Sequence, residues 1–190
     1  MSESAMIIFS VLLALVLSEL VNSCHEKKEI RNSLQTIVEE LKHNKQAIAE
    51  TQVYNIKVLH KIDSILGDKG LQKALVENNK FHLEMIAPDG VLFRYLDNEA
   101  WTIAKDKGIA SQVDYSTIAM LTKVYDDQAR MMKTEEEIAK IIFDRNSRDP
   151  EQVAVTLRLI SDVYRGWSVD RADGVMLQIN STIKKIQENL

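Results

Sequence analysis

The feature that most constrains this chain is its beginning. From Ala5 to Val21 it reads AMIIFSVLLALVLSELV, in which only Ser10, Ser18 and Glu19 are polar. Roughly 17 residues rising about 1.5 Å each cover some 25 Å, close to the roughly 30 Å hydrocarbon core of a bilayer. The run is expected to be a single transmembrane helix, with residues 1–24 as the anchor. Glu19 lies near its end, where a carboxylate reaches the headgroups, and Asn22, Ser23 and His25 follow into water. A cleaved signal peptide needs a basic start, whereas this chain carries Glu3 and nothing basic before the run. Leu20 to Cys24 loosely resembles a lipoprotein cleavage site, but Asn22 and the missing basic start favour a free cysteine at the membrane edge. Within the run, Ser10, Ala14 and Ser18 recur every fourth residue on one face, the small-residue spacing that lets two helices approach closely in lipid.

After the run there is no proline or glycine until Gly67, so nothing stops the helix from continuing. Ile30, Leu34, Ile37, Leu41, Asn44, Ile48, Thr51, Asn55, Val58, Ile62 and Ile65 alternate in steps of four and three, a heptad seam. Residues 25–66 therefore read as one long amphipathic helix. Its seam suits either a coiled-coil stalk between subunits or packing on the chain's own later helices. A second apolar set, Val38, Val53, Ile56 and Leu59, widens the stripe beyond a narrow coiled-coil seam. Asn44, Thr51 and Asn55 weaken the middle, as a seam needing one fixed register would.

Residues 67–96 read as an irregular connection. Gly67-Asp68-Lys69-Gly70 ends the long helix, residues 71–78 form a short one, Pro88-Asp89-Gly90 is turn chemistry, and Val91-Leu92-Phe93 is a brief strand or buried loop. Residues 97–190 read as a helical bundle. Asp97 is expected to cap a short helix stopping at Gly108, and Asp114 a longer one carrying Ile118, Leu121, Val124, Tyr125 and Met132. Thr134 and Glu137 have capping-box spacing, where that helix is expected to pause or run through. Asp149-Pro150-Glu151 is a strong start signal, Gly166 an expected stop, and a final helix carries Met176, Ile179, Ile183, Ile186 and Leu190. The fold class is all-α: an N-terminal transmembrane helix continuing into a long amphipathic helix, followed by a helical bundle.

A net charge of -4 and a pI near 5.6 leave no basic footprint for nucleic acid. With Cys24 the only cysteine, no intrachain disulfide and no cysteine-based zinc finger can form. Glu40 and His43 make one Glu-x-x-His unit, but a di-iron bundle needs two, so no metal or cofactor is expected. Phosphate-binding glycine loops and nucleophile elbows are absent, and the chain reads as non-enzymatic. Trp101, Tyr115 and Tyr125 are the aromatics that would line a pocket if the bundle holds a ligand, although large rings on amphipathic helices are usually core.

The run FSVLLALVLSELVNSCHEKKEIRNSLQTIVEELKHNKQ, followed later by LDNEAWTIAKDKGIASQVDYSTIAMLTKVYDDQ, resembles a family of uncharacterised bacterial single-pass membrane proteins. The resemblance rests on an apolar helix running into a charged one, then Ala100-Trp101, Asp114-Tyr115 and Tyr125 with Gln128. It implies a bacterial inner-membrane protein and carries no known activity. Many such proteins have basic residues before the span and this chain has none. Lys27, Lys28 and Arg31 follow the span, so the positive-inside tendency places the helical domain in the cytoplasm. These features point to a membrane-anchored interaction or scaffold protein that forms homo-oligomers through span and stalk and meets a protein partner. A membrane-anchored small-molecule sensor is the alternative, and an enzyme comes last.

Overall fold

The computed structural model describes residues 3–188, with side chains from Phe9 to Glu188. One helix, α1 (Glu3–Leu66), holds the expected span and the expected amphipathic stretch without a break. At about 1.5 Å per residue it is roughly 95 Å long. Among the described residues it is the one helix long and apolar enough to cross a membrane, and its apolar window is entirely unburied. Its end is built by the glycine-bearing turn. Asp68 accepts the backbone N–H groups of Gly70 and Leu71 to start α2 (Lys69–Leu75). From α2, the buried Gln72 amide donates back to the carbonyls of Ile65 and Leu66 at 3.1 and 2.8 Å, satisfying acceptors that a helix end leaves open.

The connection is more ordered than its composition implies. The short helix expected over 71–78 stops at Leu75, and β1 (Val76–Glu77) pairs antiparallel with β2 (Lys80–Phe81). Asn78 and Asn79 both take positive φ, 51° and 60°, the geometry a two-residue hairpin turn demands and asparagine tolerates. Residues 91–93 form no strand. Val91 and Leu92 lie buried in a loop, the second of the two forms expected there.

Four further α-helices complete the bundle. α3 (Glu99–Asp106) starts at Asn98 rather than at Asp97, whose carboxylate is taken by His43 Nδ1 at 2.8 Å. α4 (Tyr115–Phe143) begins on Asp114 as expected, its carboxylate accepting Thr117 N–H at 3.1 Å. Neighbouring Ser116 and Thr117 hydroxyls hold that carboxyl down at about 2. Of the two courses open at Thr134, α4 takes the run through: the hydroxyl is buried and donates to Met131 O, so it cannot cap a new start. Asp149 and Pro150 open α5 (Val153–Val163) through a short tight turn, with Glu151 N–H on Asp149.

Gly166 does not stop this helix. Tyr164–Val169 forms a π-helical turn that leads directly into α6 (Asp170–Glu188). The wider turn rephases the apolar stripe, so that Ile160 and Tyr164 before it and Ala172, Val175 and Ile179 after it are all buried. A glycine with helical torsions and open space around it terminates nothing.

Contacts fix the directions of the helices. Tyr125 meets Glu40 and Gln128 meets Asn44, so α4 runs alongside α1 in the same direction. Ser168 meets Asn55 and Asp173 meets Gln52, so α5 and α6 run back against it. The heptad seam of α1 faces this assembly: Leu34, Ile37, Leu41, Ile48 and Ile62 are buried, and Ile30 packs at the edge. Of the two arrangements the seam allows, its burial is within the chain. Two apolar cores result, one around Leu41 and Trp101 and one around Ile62 and Leu157. Between them lies a polar layer holding Asn44, Thr51, Asn55, Gln128 and Ser168.

Candidate functional site

The polar layer has its own logic. Asn44 is fully buried and makes three hydrogen bonds. Its amide donates to Asp97 O at 2.7 Å and to Gln128 Oε1 at 2.8 Å, and its carbonyl accepts from Asp97 N at 2.9 Å. The seam asparagine thus pins the returning chain to α1 as a strand partner would. Glu40 does the same one turn earlier, accepting from the Tyr125 hydroxyl and from Ala100 N at 2.5 and 2.7 Å. Burial, then the Glu40 hydrogen bond, pushes the Tyr125 phenol well above its ordinary range. Glu40 and His43 therefore look to different partners, and among the described residues no three metal-ligating side chains converge.

The aromatics named by the sequence part company. Trp101 and Tyr125 stack 5.8 Å apart at 11° and are buried, with Lys105 5.4 Å above the indole. They fill the proximal core and leave no room for a ligand between them. Tyr115 is 87% exposed at the start of α4, remote from the pair. Ser10, Ala14 and Ser18 lie on the bare part of α1, where every described residue up to Asn22 is exposed.

A concavity lies elsewhere, at the far end of α1. It is a groove of about 1000 Å³ between α1 and the segment 84–94. Its α1 wall runs from Glu50 to Ile65 in steps of three and four, a second helical stripe beside the heptad seam. Tyr54 is the fulcrum. Its hydroxyl donates to Gly90 O at 2.7 Å and accepts from Asp89 N at 3.3 Å, and its ring stacks on Phe93 at 5.1 Å. The turn it grips needs Gly90, whose φ of +89° suits a residue without a Cβ. Tyr164 holds the same segment from beneath, donating to Val91 O at 3.3 Å. Burial raises both phenols, so both stay protonated as donors.

Arg94 closes one end of the groove. Its guanidinium lies 4.8 Å over Phe93 while Nε bonds Glu50 at 3.0 Å. The Gln46 amide and then Arg94 hold the Glu50 carboxyl below its usual range. Lys57 and Lys61, one turn apart on the α1 wall, make no ion pair among the described residues. Glu84 and Asp89 stand on the facing wall. Val53 on the α1 wall remains 56% exposed, a large apolar side chain open to solvent. The groove combines an apolar floor with charged walls, the composition of a ligand or partner surface.

Sequence reasoning passed over this site. Val53 was visible as part of the widened stripe and Pro88-Asp89-Gly90 as a turn, but nothing local says that the turn folds onto Tyr54. No family model matches the chain, and neither a curated protein nor a solved structure does.

Proposed function

We propose that this chain is a membrane-anchored interaction protein that offers the groove beside Tyr54 to a protein partner in the water. The observation that supports it is the continuity of α1, because one helix forms both the candidate span and the groove wall. From Val21 to Tyr54 it rises about 50 Å, so the groove is held far from the lipid on a support that cannot fold back. The partner is a protein rather than nucleic acid, since the groove walls carry both charges and the chain is net acidic. The chain acts by binding and not by catalysis. The span face of Ser10, Ala14 and Ser18 is the surface for homo-oligomer formation in the membrane, a role that passes from the buried seam to the span alone. In a bacterial cell the inner membrane holds the anchor, with the bundle in the cytoplasm.

A photoreactive benzoylphenylalanine tests this in cells when placed at Val53 in the groove and, for comparison, at the exposed Asn180 on α6. The expected result is a discrete adduct from Val53 and none from Asn180, with the adduct kept in the membrane fraction through an alkaline wash. No adduct at Val53, or equal adducts at both positions, overturns the binding reading. Release of the intact chain by the wash overturns the anchor.

A further inference from the structure

The groove's charges are sorted across its width. Lys57 and Lys61 stand on the α1 wall, and Asp89 and Glu84, the latter bonded by His82 Nδ1 at 2.8 Å, on the facing wall, with Val53, Met85 and Phe93 also in the lining. The two lysines have no ion partner among the described residues, while the remaining cation, Arg94, is already held by Glu50. A compact ligand would not use this layout, because the wall extends from Glu50 to Ile65, about 22 Å or four helical turns.

The backbone of the walls decides what kind of chain fits. An extended peptide gains its affinity by pairing its main chain with an open strand edge. Neither wall contains a strand. The α1 carbonyls are inside a helix, and the facing segment closes its own turns through Met85 N to His82 O, Ala87 N to Leu83 O and Gly90 N to Ala87 O. A partner segment must therefore satisfy its own backbone, which a helix does.

We infer that the groove binds an amphipathic helix of a soluble partner, about four turns long. Its apolar face lies on Val53, Met85 and Phe93, an acidic edge meets Lys57 and Lys61, and a basic edge meets Glu84 and Asp89. This rests on the groove being the binding surface and adds the class of segment that fills it. Charge across the width sets orientation and excludes helices with two like edges.

The full chain in zwitterionic nanodiscs, with empty nanodiscs as blank, tests this by fluorescence anisotropy. Two labelled 16-residue amphipathic peptides share an apolar face; one has an acidic and a basic edge, the other two basic edges. The wild type is expected to bind the mixed-edge peptide saturably and at least tenfold more tightly than the all-basic one. Lys57→Glu with Lys61→Glu, both exposed positions, should leave the far-UV spectrum unchanged and invert that order. Absence of saturable binding, an order that charge reversal does not invert, or binding of dodecanoate but of neither peptide overturns the inference. Adducts at Val53 in cells together with failure of both peptides remove the helix class and leave the binding reading standing.

Discussion

Asn44→Asp is the sharpest test of how this fold is held, because it changes hydrogen-bonding sense without changing size. Asn44 sits at zero exposure with its amide donating to Asp97 O and Gln128 Oε1. An ionised aspartate has no donor, so both acceptors lose their partner and face a buried negative charge. Leaving one buried polar group unpaired costs about 1–3 kcal/mol, so two give roughly 2–6 kcal/mol before the charge is counted. For a chain of this size each kcal/mol moves Tm by about 2–4 °C, and a loss of about 10 °C at pH 7 is expected. Acid should return part of it. The buried aspartate has a folded pKa raised above its unfolded value near 3.9, so the part of the deficit due to ionisation is absent below that value and grows as pH rises through it. The protonated form also regains one donor. Thermal melts of the full chain by circular dichroism, variant against wild type at pH 7 and at about pH 3.5, read this difference directly. A variant melting within about 2 °C of wild type at pH 7 refutes the assignment of Asn44 as the pin between α1 and the returning chain.

Leu41→Glu should unfold the proximal core, whereas Lys42→Glu should barely move Tm, because Leu41 is fully buried and Lys42 is exposed; a melt that depends on protein concentration would return the seam to contacts between chains. Thr51→Val should raise Tm by about 2–4 °C, since the Thr51 hydroxyl is buried without a partner; a fall would reveal a bridging water in the polar layer. The Tyr125 phenol is raised by burial and by Glu40, so its contribution is intact below about pH 10 and is lost above it, as the unfolded chain ionises first. Tyr125→Phe should flatten that alkaline loss, and an unchanged slope would exclude Tyr125 as its source. A cytoplasmic reporter fused after Leu190 should be active, and strong activity from an export-dependent reporter there would reverse the orientation.

Local chemistry in the sequence accounts for the helices. A stretch without proline or glycine until Gly67 yields one helix from Glu3 to Leu66, and the caps at Asp114 and Asp149 act where their spacing places them. Such signals work because each concerns groups within a few residues of one another. The seam is the turning point. Its periodicity shows which face of α1 is covered but not by what, since an apolar stripe is satisfied equally by a second subunit or by the same chain. Gly166 and Thr134 fall on the other side of that line: the π-helical turn carries the chain past the stop signal at Gly166, and burial overrides the start signal at Thr134. Asn44 reads as a weak point in a heptad and becomes a three-bond joint only when Asp97 and Gln128 arrive from 53 and 84 residues away. The groove was the least legible part. Its residues come from α1 and from the turn that Tyr54 and Tyr164 hold, and only the closure of that long loop brings Lys57 and Lys61 to face Glu84 and Asp89.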